Sequence, residues 1–388
     1  MALRGMTGCV RMLFRDVKNT GLSCNFANIN KQTDCWTCRI GAKRYLLPED
    51  IIRLQDFQQK KLAIAHRMHG VKEEYFQKLN QKLQKNELIL KNELKLLLHL
   101  CETPDDVVTA KSVIDRYHEE NHNVAFGEFR FGPLFMRLCY ELGLEEMAAN
   151  AIKDKTLKGF FTDSTSFNIA MDMLFVKGYY DTALEVLIDM KNQGVPFNKD
   201  TVILAFGICY KLNTPKSYKI CTTLLEEAQS KGRFVPRQAY CFAVALALKQ
   251  KDIERAKSIY AQIMNPDNRI CQNLKVLTMA MAGAVNSVLS ILISAVMPDS
   301  PKFVKKPEFS QDVVDVLRHE TQMSPLLRSR VERVLAKLQL SGQVTDLSLD
   351  EMLCYTPTGK RRHLGLMLDQ RRTSRRTLRP LQTTLLME

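Results

Sequence analysis

The sequence predicts an all-α protein, an α-solenoid of stacked helix-turn-helix units with helical caps, and three observations carry that prediction. The stretch Ser164 to Asn198 reads as two consecutive amphipathic helices. Phe167, Ala170, Met171, Leu174 and Phe175 recur at i, i+3, i+4, i+7 and i+8, and Ala183, Val186, Leu187 and Met190 make a second stripe. A small residue followed three and four positions later by apolar ones then recurs along the chain. It occurs at Ala110, Ala148, Ala183, Cys221 and Ala256, at intervals of 38, 35, 38 and 35 residues. Glycine stands five residues ahead of that position at Gly143 and Gly178, where a helix must end. A period in the mid-thirties with two helices per period describes units that are stable only by stacking, because neither helix buries its apolar face alone.

Within the central unit, Thr165 and Ser166 supply hydroxyls for the first helix N-terminus and Lys177-Gly178 closes it. Asn192-Gln193-Gly194 and Pro196 end the second helix. With 388 residues and 45% hydrophobic content, the chain is able to spread a large core along such an array.

The formal charge of +14 is concentrated at the ends. Residues 1–48 carry eight Lys or Arg against two acids, and residues 355–388 carry the same, which leaves +2 for the body. The net charge is therefore weak evidence that the repeats themselves bind an acidic ligand. In the first segment Leu3, Met6, Val10, Leu13 and Phe14 share a helical face from which Arg4, Arg11 and Arg15 are excluded. An amphipathic, Arg-rich, acid-poor segment suits a mitochondrial transit peptide over residues 1–47, and so a matrix location; an ordinary unstructured tail is the alternative. Cys35-Trp36-Thr37-Cys38 has redox-motif spacing, but no βαβ pattern follows it and no second pair completes a zinc site. Cys101, Cys139, Cys209, Cys221 and Cys241 lie in apolar helical runs, where a thiol serves as a small core group.

Residues 48–127 are expected to form N-terminal helices and a degenerate repeat. Ile51, Ile52 and Leu54 begin one helix, Tyr75, Phe76, Leu79 and Leu83 mark another, and the degenerate repeat starts at Leu94 and ends near His118. His99, His118 and His122 read as helix-surface residues without ligand partners. The array proper spans 128–300. Its first unit runs from Phe129 to about Thr162 on the stripe Phe131, Leu134, Phe135, Leu138 and Cys139.

Between Lys275 and Asp299 no residue is charged, a run long enough to cross a bilayer. Its serines and asparagine, with Gly283 five ahead of Val288, favour a sixth hairpin over a membrane span. Residues 301–354 are expected to cap the array. Val313, Val314 and Leu317 give one helix, Ser324-Pro325 opens another on Leu327, Val331, Val334, Leu335 and Leu338, and Ser348 with Glu351 is a capping box for a third. The tail, 355–388, holds Lys360, Arg361, Arg362, Arg371 and Arg372, which either neutralise phosphates or keep a mobile end soluble.

The Ser166-Phe167-Asn168 start, the Lys177-Gly178 hinge, the second helix Ala183 to Met190 and the Gly194-Val195-Pro196 exit together resemble a pentatricopeptide repeat. Ala239-Tyr240-Cys241 with Ala256 to Met264 is similar, with Lys251 where glycine is usual. The Trp-x2-Leu-Gly-x2-Tyr signature of tetratricopeptide repeats is missing. The resemblance implies that RNA is read one base per unit by the fifth residue of the unit and its last. In the central unit these are Asn168 and Asn198, an amide pair that leans in that family towards a pyrimidine. The competing reading has Asn168 merely capping or solvating its helix. Ile203 and Cys241 hold the matching fifth positions and offer little hydrogen bonding.

No Gly-rich phosphate loop, HExxH or nucleophile motif is present, and no catalytic residue, cofactor or metal is expected. The expected function is therefore binding of single-stranded mitochondrial RNA and assistance in its maturation, processing or stability, with RNA-processing enzymes doing the cutting. The alternative is a protein-binding helical scaffold or assembly factor in the same compartment.

Overall fold

A computed structural model describes residues 46–120, 130–296 and 306–355. The transit-peptide reading of residues 1–45, Cys35 and Cys38, and the cationic tail cluster from Lys360 to Arg372 lie outside them. The described chain is built from helices, as the sequence predicts. Three short N-terminal ones, α1 (Glu49–Ile52), α2 (Leu54–Arg67) and α3 (Lys72–Gln84), precede seven hairpins. These pair α4 (Lys91–Leu100) with α5 (Pro104–Glu120), α6 (Gly132–Leu142) with α7 (Glu145–Lys153), and α8 (Ser164–Lys177) with α9 (Tyr180–Asn192). They continue as α10 (Lys199–Leu212) with α11 (Pro215–Ser230), α12 (Arg237–Lys249) with α13 (Ile253–Tyr260), and α14 (Arg269–Met281) with α15 (Val285–Val296). The last is α16 (Gln311–Glu320) with α17 (Pro325–Leu340), and a short α18 (Leu349–Leu353) closes the described chain.

The first helices of the hairpins, α4 through α16, stack each on the next, and each second helix packs against its own first helix. The recurring small residues explain the close approach. Ala110, Ala148, Ala183 and Ala256 are fully buried and Cys221 nearly so. At the hinge the backbone turns left-handed at equivalent points in five hairpins, at Gly143 (φ 70°), Gly178 (φ 89°), Asn213 (φ 47°), Lys251 (φ 61°) and Gly283 (φ 75°). A left-handed residue there turns the chain back on itself while its N–H satisfies an orphan carbonyl, as Gly178 does for Phe175. The uncharged run after Lys275 is the α14–α15 hairpin, and among the described residues no helix is long and apolar enough to cross a membrane.

Several local expectations are corrected. The N-cap of α8 is Asp163, whose carboxylate accepts the Ser166 N–H at 3.2 Å; Ser166 also donates its own hydroxyl to Asp163. The helix expected from Ile51 to Leu54 is split by left-handed Arg53. His99 is buried rather than superficial, its Nδ1 2.7 Å from the Lys95 carbonyl and its ring 5.4 Å from that of Phe57. A two-residue parallel pairing of β1 (Phe309–Ser310) with β2 (Val344–Thr345) clips the last hairpin.

The largest difference concerns the two ends. Leu46 and Leu47, expected in the transit peptide, are 2% exposed and belong to the core. α1 packs on α8, and α2 packs on α4 and α6. At the other end Ser348 and Glu351 form the expected capping box, but α18 folds back onto α12 and α14 instead of closing the array beyond α17. Lys211 Nζ sits 2.6 Å from Asp350, and Gln238 donates to the Leu353 carbonyl at 3.1 Å. Both ends of the described part thus lie against the first-helix layer, and this accounts for helices apolar on every side. Ser166 through Phe175 in α8 and Cys241 through Leu248 in α12 are buried without a break.

Candidate nucleic-acid interface

The two asparagines expected to read a base lie together where one hairpin passes into the next. The exit Gly194-Val195-Pro196-Phe197 delivers Asn198 as the N-cap of α10, a role for which a short amide side chain is well suited. Its Oδ1 accepts the N–H groups of Asp200 at 3.0 Å and Thr201 at 2.8 Å, and its Nδ2 donates to Ser164 Oγ at 3.0 Å. Asn168 on α8 donates its Nδ2 to that same Oδ1 at 3.1 Å, and its own Oδ1 accepts the Thr201 hydroxyl at 2.8 Å.

The expectation that both amides stand free for a base edge is therefore corrected at Asn168. It is 1% exposed, and its donor and its acceptor are engaged within the protein. A buried amide left unpaired costs about 1–3 kcal/mol, so this network locks one unit to the next. Asn198 remains partly exposed.

One turn further along α8, the face carrying Asn168 is closed by the N-terminal segment. Asp172 is fully buried, and its carboxylate accepts the backbone N–H groups of Leu46 at 3.0 Å and Leu47 at 3.1 Å and the Tyr140 hydroxyl at 3.2 Å. Desolvation outweighs these three donors and pushes its carboxyl up to about 7. Gly207 on α10 makes the fit possible, since a Cβ there would meet Leu46 Cδ1 at 2.6 Å. Of the matching fifth positions, Cys241 is buried and Ile203 half-buried. Both line a cleft of about 630 Å³ shared with Arg237 and Tyr355.

A second cleft, of about 680 Å³, opens at the edge of the array between the exits of two successive hairpins, and Asn198 lines it. Its other walls include Phe197, Lys199, Arg233 and Phe234, with Phe234 79% exposed. Lys191 and Lys231 also line it and both pair with Glu227, holding that carboxyl down at about 2. Lys199 and Arg233 are exposed and make no ion pair among the described residues. The cleft thus holds four cations and one carboxylate, which pairs with two of them, beside the half-buried Phe197 and the exposed Phe234, a combination with the chemistry to stack a base and neutralise a phosphate.

Sequence reasoning passed over Phe197, Arg233 and Phe234. Their signal was available in the exits Gly194-Val195-Pro196-Phe197 and Gly232-Arg233-Phe234-Val235-Pro236, whose glycines are 38 residues apart and are each followed within four residues by Phe and Pro. The cysteines in the apolar runs are buried and free, and burial pushes the Cys101 and Cys209 thiols up to about 12. Among the described residues no cluster of His, Cys, Asp and Glu is arranged to hold a metal ion.

A family model described as pentatricopeptide repeat-containing protein matches residues 136–263, the stretch from α6 to the end of α13. Zebrafish (Danio rerio) pentatricopeptide repeat-containing protein 2, mitochondrial, is 52% identical over 388 residues, the whole of both chains. The mouse (Mus musculus) and human (Homo sapiens) proteins of the same name are each 52% identical, over 91% and 90% of this chain and 93% and 90% of their own.

Proposed function

Since the chain belongs to the family of pentatricopeptide repeat-containing protein 2, we propose that it is a mitochondrial protein that binds single-stranded RNA without catalysis and assists the maturation, processing or stability of respiratory-chain transcripts. Separate RNA-processing enzymes do the cutting. The observation that carries this reading is the edge cleft, where the exposed Phe234 and the half-buried Phe197 stand beside Lys199, Arg233 and the partly exposed Asn198. Stacking on an aromatic face is worth about 1–3 kcal/mol per base and tolerates any sequence. The cations add a salt-dependent attraction. With one amide in reach of the cleft, base discrimination is expected to be modest. Delivery to the matrix is supported by the Arg-rich amphipathic start and by the mitochondrial relatives. The cationic tail, Lys360 to Arg372, is a second phosphate contact in this proposal.

The test is fluorescence anisotropy of the full chain with labelled single-stranded RNA across a salt series. Phe234→Ala is expected to weaken binding about tenfold, the equivalent of one lost stack. Arg233→Ala is expected to lower the salt slope by about 0.7, one phosphate contact on a single strand. Undiminished binding by the double variant would remove the cleft from the proposal.

A second reading, a protein-binding scaffold or assembly factor, is favoured by one specific observation. The face of the first-helix layer near α8 and α12 is already covered by Leu46, Leu47, α1 and α18, and Ile203 and Cys241 there are apolar. Crosslinking in intact mitochondria separates the two readings. Transcripts recovered with the protein and lost in the cleft variants support RNA binding, whereas protein partners alone support the scaffold.

A further inference from the structure

α12 and α14 pack side by side, and where they meet Cys241 Sγ and Cys271 Sγ stand 3.7 Å apart. Both residues are reduced, and 30 residues of chain separate them. Among the described residues no other two cysteines share a hydrogen bond. Cys241 lines the cleft of about 630 Å³, so its side of the pair faces an opening while Cys271 stands behind it. Arg237, one helical turn before Cys241, lines the same cleft, and its charge acts on both sulfurs.

We propose that Cys241 and Cys271 are a redox site, a dithiol that hydrogen peroxide converts to a disulfide tying α12 to α14 beneath the cleft. A disulfide needs its sulfurs about 2.05 Å apart, so the pair must close by roughly 1.6 Å. Cys271 is buried but is only the third residue of α14 and follows the irregular segment 261–268, so the movement falls near a helix end. The thiols are also set apart chemically. The hydrogen bond between the two sulfurs holds the Cys271 thiol below its ordinary range, with Arg237 adding to the effect, and together with burial it pushes the Cys241 thiol above that range; burial raises the Cys101, Cys139 and Cys209 thiols.

The reaction balances with peroxide as the oxidant. Cys271 sulfur, the more acidic of the two, attacks one peroxide oxygen as its thiol proton passes to the departing oxygen. The O–O bond breaks, that oxygen leaves as water, and Cys271 becomes a sulfenic acid. Cys241 sulfur then attacks the Cys271 sulfur, the S–O bond breaks, and hydroxide leaves as the second water with the Cys241 thiol proton. Two thiols and one peroxide give one disulfide and two waters, the sulfurs losing two electrons and the peroxide oxygens gaining them. The site does not depend on RNA binding.

The experiment exposes the reduced, full-length protein to low hydrogen peroxide, blocks free thiols with N-ethylmaleimide, and maps digested peptides by mass spectrometry. The expected product joins the Cys241 and Cys271 peptides, is reversed by dithiothreitol, and forms before any other cysteine is modified. Arg237→Ala, an exposed substitution that gives up one long hydrogen bond to the Asn265 carbonyl (3.5 Å), is expected to slow its formation several-fold. Recovery of both cysteines as maleimide adducts while the protein stays folded overturns the proposal. So does a crosslink that forms no faster than oxidation of Cys101 or Cys209.

Discussion

The backbone N–H of Leu46 donates to the Asp172 carboxylate at 3.0 Å across 126 residues of sequence. With Leu47 and Tyr140 on the same carboxylate, this contact seats the N-terminal segment on α8. It also covers the face of the helix that carries Asn168, which is why base contact is proposed at the edge cleft instead.

Asp172 makes stability fall as pH rises. Its folded-state value, about 7, lies above the roughly 3.9 of an unfolded aspartate, so the folded protein keeps a proton that the unfolded chain has released. The contribution is full below about pH 4 and declines, by at most about 1.4 kcal/mol per unit, until pH passes 7. Urea titrations at several pH values are expected to show this slope in the wild type and not in Asp172→Asn, which keeps an acceptor for Leu46 and Leu47. Asp172→Ala strands two N–H groups and a hydroxyl and is expected to cost about 3 kcal/mol.

Truncation separates the targeting segment from the folded body. Deleting residues 1–43 is expected to leave the melting temperature unchanged while the protein accumulates in the cytosol. Extending the deletion through Leu47 removes two core side chains and the donors to Asp172, and is expected to lower the melting temperature clearly. Equal stability of the two truncations would place the body's start after Leu47.

Asn168→Ala is a stability variant in this structure. It removes one of the two acceptors within reach of the Thr201 hydroxyl and one of the donors to Asn198, and is expected to cost about 1–3 kcal/mol, read by chemical unfolding. RNA affinity of the folded fraction is expected to change far less than in Phe234→Ala. The reverse pattern would return base reading to Asn168.

Lys251 occupies the left-handed hinge position that glycine holds at Gly143, Gly178 and Gly283. A side chain there costs roughly 1 kcal/mol, and Lys251 is exposed. Lys251→Gly is expected to raise stability by about 0.5–1 kcal/mol, part of the gain being offset by the freer unfolded chain. Gly178→Ala is expected to act in the opposite sense, by about 1 kcal/mol.

Much of this protein was legible in its sequence because the information was local. Stripes at helical spacing, small residues at a fixed interval and left-handed hinges are set by contacts within a hairpin, and so the helix pairs, the hinge at Gly283 and the capping box at Ser348 could be read from the chain. The sequence by itself therefore determined that the chain forms stacked helical pairs of the pentatricopeptide type. Tertiary structure alone decided what covers them. Leu46 meets Asp172 and Asp350 meets Lys211 across 126 and 139 residues, and no periodicity encodes such a contact. An asparagine at a reading position looks the same in sequence whether it faces water or a neighbouring threonine. Burial at Asn168 and exposure at Phe234 follow from which segments fold back over the first helices, a choice tied to the room beside Gly207 and to the buried Asp172 carboxylate that accepts the Leu46 and Leu47 N–H groups.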